Sequence, residues 1–274
     1  MPSVELSTGT VHYIDRGRGT PVILLHANPG DSQDYEAVIP ALARRCRVLA
    51  PDWPGYGLSS LLRCPDTVDV HLYYHTLREF VSALDLAPVV LVGNSMGGNA
   101  AARLAFESPE LVKGLVLVSP GGFSPDSVLK SGFCRWQGSP WSISPYRFAR
   151  FYLKHFTPVT EGMLKRASTL QATGDRLAVN RAVWRSFAEP KNDLRQSARH
   201  IKSPTLLLFG KRDPVVPASR DGRIAARAIP RALFIELPCG HAPFAEVPGL
   251  FLANVQPFLA TCERMTRPAL AARS

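Results

Sequence analysis

The sequence lacks any apolar run approaching the ~20 residues that span a bilayer, so no helical membrane span is expected. Its first fifteen residues, MPSVELSTGTVHYID, have neither a basic start nor an apolar core and do not read as a secretory leader. Cysteines are few and scattered: Cys46, Cys64, Cys134, Cys239 and Cys262 form an odd set without paired metal spacing. Free thiols in a reducing, cytoplasmic setting are the expectation. His71 and His75 stand four apart on an expected helix, but no third ligand is placed by the sequence, so no metal is expected. The glycines at 93, 97 and 98 are followed by no phosphate-loop lysine, and no cofactor is expected.

Acidic residues are also scarce, 22 against 32 Lys and Arg. The imbalance is local. Residues 121–200 hold thirteen Lys or Arg against five Asp or Glu, and eleven of the 24 aromatics. Amphipathic helices with solvated basic faces account for this in the plainest way. The sharper reading is a lid that attracts anionic or lipid-like substrates, or makes peripheral contact with an acidic membrane surface. No nucleic-acid-binding motif accompanies the charge, so no nucleic-acid partner is expected.

What is present is a rhythm. VELS and TVHYI alternate around Thr8-Gly9 as a hairpin. Short apolar runs then recur at 21–26, 46–52, 88–94, 114–120, 204–210 and 232–238. Their continuous Val, Ile and Leu content suits parallel strands buried on both faces. Helical patterns at 68–86, 97–107, 218–228 and 247–260 separate them, which predicts an α/β fold with helices on both faces of a mostly parallel sheet. About 80 residues between the runs at 114–120 and 204–210 carry no strand signal and predict an inserted helical cap. The expected organisation is a core of residues 1–121 and 199–262, a cap of 122–198 and a tail of 263–274.

The stretch LVGNSMGGNAA contains G-x-S-x-G, Gly93 to Gly97, after an expected strand and before an expected helix. That pattern presents a serine on a strained turn. A serine hydroxyl needs a base, and the base needs an orienting carboxylate. Asp213 follows the strand at 204–210, and His241 follows the next, so the order Ser95, Asp213, His241 falls at carboxyl ends of strands. Backbone N–H donors must also meet a developing oxyanion. The N–H of Met96 and the N–H of Asn28, in LLHANPGD, are the candidates. Cys239, close to His241, reads as a small packed residue.

HANPG, PDWPGYGLS, GNSMGG, GKRDPVVP and GHAPFAE together resemble the α/β-hydrolase superfamily over nearly the full length. The resemblance implies Ser95 as nucleophile, His241 as base, Asp213 as its orienter, and Asn28 with Met96 as the oxyanion hole. Ala27 departs from the usual glycine of that loop. Haloalkane dehalogenases and epoxide hydrolases of this fold carry an aspartate at the elbow, so neither activity is expected. GNSMGG and SPGGF look like hydrolases that cleave carbon–carbon bonds of ring-fission dienoates, but the tryptophan expected after the histidine is absent. The leading expectation is a serine hydrolase cleaving a small-molecule carboxylic ester, with Trp136, Arg181 and Arg185 as candidate substrate contacts in the cap. The alternatives are dienoate C–C hydrolysis and a non-catalytic ligand-binding member of the fold.

Overall fold

A computed structural model describes residues 2–170 and 174–264. The N-terminal hairpin pairs β1 (Ser3–Leu6) with β2 (Gly9–Arg16). The apolar runs become β3 (Pro21–Leu25), β4 (Arg47–Pro51), β5 (Val89–Asn94), β6 (Val112–Val118), β7 (Thr205–Gly210) and β8 (Leu233–Leu237). They form an eight-stranded sheet in the order β1-β2-β4-β3-β5-β6-β7-β8, antiparallel at the hairpin end and parallel from β4 onward.

The period-2 alternation of each central strand explains why these segments read as unbroken apolar runs. On β5, Val89 and Leu91 enter one core cluster while Val90 and Val92 enter the other. Helices α2 (Val70–Ala83) and α3 (Met96–Glu107) cover the first face through Tyr73, Leu77, Phe80 and Leu104. Helices α1 (Ile39–Leu42) and α10 (Pro248–Arg264) cover the second through Ile39, Leu42, Phe251 and Val255. Asp69 caps α2 by accepting from the His71 N–H at 2.9 Å. The chain therefore folds as an α/β-hydrolase sheet.

Between β6 and β7 lie α4 (Val128–Gln137), α5 (Pro145–Tyr152), α6 (Pro158–Leu170) and α7 (Gly174–Ser186), with no strand among the described residues of that interval. Arg166 of α6 clasps them to the sheet side, its Nε 2.8 Å from Asp31 and its Nη2 2.7 Å from Asp34. Burial pushes Asp34 up to about 8, with repulsion from Asp31 adding to it against the pull of Arg166. Burial likewise lifts Asp31 to about 6. Helices α8 (Arg223–Ala228) and α9 (Pro243–Glu246) complete the chain order. Of the expected tail, residues 263 and 264 belong to α10, and 265–274 lie outside the described residues.

Candidate active site

Ser95 stands at the junction of β5 and α3 with φ 51° and ψ −109°, a left-handed conformation that costs a non-glycine residue about 1–3 kcal/mol. The flanking glycines are required by contact. A Cβ on Gly93 would run into the Gly97 carbonyl, and one on Gly97 into the Leu25 carbonyl. Strand β3, strand β5 and helix α3 thus converge on the turn, and only glycine fits between them.

The two downstream residues meet. His241 Nδ1 lies 2.6 Å from Asp213 Oδ2, although 28 positions separate them, because β7 and β8 are parallel neighbours whose C-terminal loops face each other. Asp213 Oδ1 accepts the N–H groups of Val215 (2.9 Å) and Val216 (3.1 Å), which aims the carboxylate. Burial by itself would raise the Asp213 carboxyl. The His241 charge and hydrogen bond, with the two backbone donors, outweigh it and hold the group below its ordinary value. Asn94 connects this loop to the elbow, its Nδ2 donating to the carbonyls of His241 (3.1 Å) and Val118 (3.0 Å).

Met96 opens α3, so its N–H is among the first four of the helix, which have no partner within it. Asn28 sits in the loop after β3. His26 braces that loop as a neutral ring: Nδ1 donates to the Ala27 carbonyl (2.8 Å) and Nε2 accepts the Trp53 N–H (3.0 Å). Burial pushes the His26 imidazole down to about 4, so it keeps this form at neutral pH. The Asn28 side chain is held too. Tyr56 donates its hydroxyl to Asn28 Oδ1 at 2.8 Å, and Asn180 of α7 exchanges amide hydrogen bonds with it.

Ser95 and Asn28 open onto a cavity of about 600 Å³, within the range of small-molecule sites. Its walls are apolar: Phe133 of α4, Phe148 and Phe151 of α5, Trp184 of α7, and Phe187 and Val215. Its cations are already paired, Lys130 with Asp126 at 2.9 Å and Arg220 with the fully buried Asp221 at 2.6 Å. Trp136, Arg181 and Arg185 are not among the residues lining it. Trp136 is exposed, and Arg185 donates to the carbonyls of Gly138 (2.6 Å) and Asp66 (2.8 Å). Arg181 reaches only the Pro140 carbonyl, at 3.4 Å. These arginines fasten loops instead. Cys239 is fully buried, and burial pushes its thiol up.

Glu246 was not singled out by the sequence, although it closes the GHAPFAE stretch. Its buried carboxylate accepts N–H groups on both sides of the histidine, from Gly240 and Ala242 at 3.0 Å each. It also accepts from Lys154 (2.8 Å) and His155 (3.0 Å), where the inserted helices pass the loop. Glutamine would turn an amide donor toward at least one of these donors. Glu246→Gln is therefore expected to lower stability by about 2 kcal/mol, read from urea unfolding. Because the residue holds the His241 loop and does not line the cavity, kcat should fall about tenfold while KM stays nearly constant. A rise in KM at constant kcat would show that it bears on binding instead.

Residues 20–248 match the family model described as alpha/beta hydrolase fold. The chain is similar to haloalkane dehalogenase 2 of Mycobacterium tuberculosis, with 31% identity over 254 residues covering 85% of each chain. It is also similar to the pimeloyl-[acyl-carrier protein] methyl ester esterase of Nitrosomonas europaea, at 26% identity over 89% of this chain and 97% of that one. Among solved structures, a bacterial membrane phospholipase A superposes with a TM-score of 0.80 and 25% identity, covering 96% of this chain and 86% of the other.

Proposed function

The chain belongs to the α/β-hydrolase fold family, and from that premise we propose that it is a serine hydrolase acting on carboxylic esters through an acyl-enzyme. The observation that carries this reading is the Asp213–His241 pair at 2.6 Å, in the loops after β7 and β8 on the same edge of the sheet as the serine elbow after β5, beside an apolar cavity that opens at Ser95. Ser95 attacks the ester carbonyl and His241 takes its proton. Asp213 stabilises the imidazolium, and the N–H groups of Met96 and Asn28 meet the oxyanion. His241 then protonates the departing alkoxide, and a water activated by the same imidazole releases the acid. The helices of residues 122–198 serve as the cap that supplies the acyl-binding walls.

Serine at the elbow argues against the dehalogenation named for the Mycobacterium tuberculosis relative. Displacement of halide by a serine hydroxyl would leave an alkyl ether, which lacks a carbonyl for water to attack. An acyl-serine has that carbonyl and turns over. Dienoate C–C cleavage needs a free cation for the substrate carboxylate, whereas Lys130 and Arg220 at the cavity are paired with Asp126 and Asp221.

A fluorophosphonate should label Ser95 stoichiometrically. In a side-by-side panel at one pH, short or medium acyl esters should show higher kcat/KM than any 2-hydroxy-6-oxo-dienoate. A dienoate turned over faster than every ester would replace this reading with C–C hydrolysis. Absence of both labelling and turnover would leave a binding protein.

A further inference from the structure

Helix α4 carries its apolar stripe on the wrong side for a helix that packs on a core. Leu129, Phe133 and Trp136 recur at helical spacing, yet all three are exposed, whereas only Cys134 and Gln137 of this helix are buried. Val128 is 90% exposed, Leu129 85%, and Trp141 in the following turn 85%. Helix α5 repeats the pattern. Tyr146, Arg147, Arg150 and Phe151 face outward while Pro145, Phe148, Ala149 and Tyr152 are buried. Leu129, Phe133 and Phe151 also line the cavity that opens at Ser95, so its mouth lies within this exposed apolar area.

The chain that forms the mouth is strongly basic, although Lys130 is paired with Asp126 just outside it. From residue 128 to residue 156 there are five Lys or Arg and no Asp or Glu. The Arg150 guanidinium lies 4.1 Å above the Phe156 ring and the Lys154 ammonium 5.1 Å from the Phe151 ring, so cations and aromatics are interleaved. A purely solvated basic face would not hold eight large apolar side chains at more than 40% exposure between residues 128 and 156. An acidic protein would satisfy the cations without needing that apolar protrusion. An anionic lipid surface satisfies both: basic groups meet the headgroups while Val128, Leu129 and Trp141 enter the acyl boundary.

We propose that the exposed face of α4 and α5 docks on an anionic lipid surface, and that the cavity mouth within it receives an acyl chain from that surface. The acyl substrate rests on the ester-hydrolase reading, whereas the docking does not. The two are therefore measured separately.

The purified full chain is sedimented with vesicles of phosphatidylcholine, alone or with 30% phosphatidylglycerol. Binding is expected only to the mixed vesicles, with release as salt is raised to about 0.5 M. Each basic residue near such a surface contributes a factor of about five, so Arg135→Gln with Arg147→Gln should weaken binding roughly 25-fold. Trp141→Ala should weaken it about tenfold through lost apolar insertion. These variants lie outside the cavity lining and should keep wild-type turnover of a soluble short-chain ester.

Several results overturn the docking. The wild type could stay in the supernatant with both vesicle types, or bind as tightly after the arginine substitutions as before. The same patch could hold two copies together in size-exclusion chromatography, or retain an acidic acyl-carrier protein, without vesicle binding. Vesicle binding by a chain that hydrolyses no ester would sink the activity and leave the docking standing.

Discussion

Ser95→Ala is expected to lower kcat by about 10⁵–10⁶-fold while leaving the fold intact. In the proposed mechanism the hydroxyl is the attacking group, and nothing else at the elbow can replace it, since its flanking positions are Asn94 and Met96. The substitution is structurally mild for two reasons. Ser95 heads α3 without a side-chain capping bond, so deleting its oxygen orphans no helix N–H. Alanine also bears the same left-handed strain at φ 51° as serine, so the turn is no harder to form. Circular dichroism and thermal melting should match the wild type, and binding of a non-hydrolysable substrate analogue should persist. Purified Ser95→Ala retaining a tenth of wild-type turnover would mean that the nucleophile lies elsewhere.

Asp213→Asn should cost about 10⁴-fold in kcat with little change in KM. One side-chain oxygen must keep facing the N–H groups of Val215 and Val216, since those donors are fixed by the loop. The asparagine then presents its NH₂ to His241 Nδ1, where the wild type presents Oδ2 at 2.6 Å. A ring nitrogen facing a donor must accept, so the imidazole proton moves to Nε2. That nitrogen is then unable to take the serine proton. Stability provides an independent check. Asp213 has a depressed folded value, so its contribution is present above its ordinary 3.8 and is lost as pH falls through the folded value. The asparagine variant lacks that contribution. Its melting temperature should lie below wild type at pH 7 and converge with it as the medium is acidified below the ordinary 3.8. Parallel melting curves across that range would show that the carboxylate is not stabilised as the geometry requires.

The parallel strands and their order along the chain were legible because each central strand is buried on both faces. It is therefore apolar at nearly every position, Asn94, Lys113 and Thr205 lying at or near strand ends, and its observed bounds differ from the apolar runs by one or two residues. The elbow was legible because close contact at Gly93 and Gly97 admits no side chain, so the constraint is written directly as residue type. Glu246 left a weaker trace. A buried carboxylate gathering four backbone donors looks, in sequence, like any glutamate near the start of a helix.

The sequence by itself determined the fold class and the glycines between crowded backbones, and it singled out Ser95, Asp213 and His241 as the residues proposed for catalysis. Such constraints act on single positions or on neighbours along the chain. Tertiary structure alone decided which face of each inserted helix meets the cavity. Arg181 and Arg185 share one face of α7 at helical spacing, and Asn180 and Trp184 share the face one residue, about 100°, away. Periodicity defines both faces equally well. Only packing turned Asn180 toward Asn28 and Trp184 into the cavity wall, sending Arg185 to the carbonyls of Gly138 and Asp66. The rotation of a helix about its own axis is set by its neighbours, and α4 shows the same physics in reverse: its apolar stripe lacks a core to meet and so faces outward.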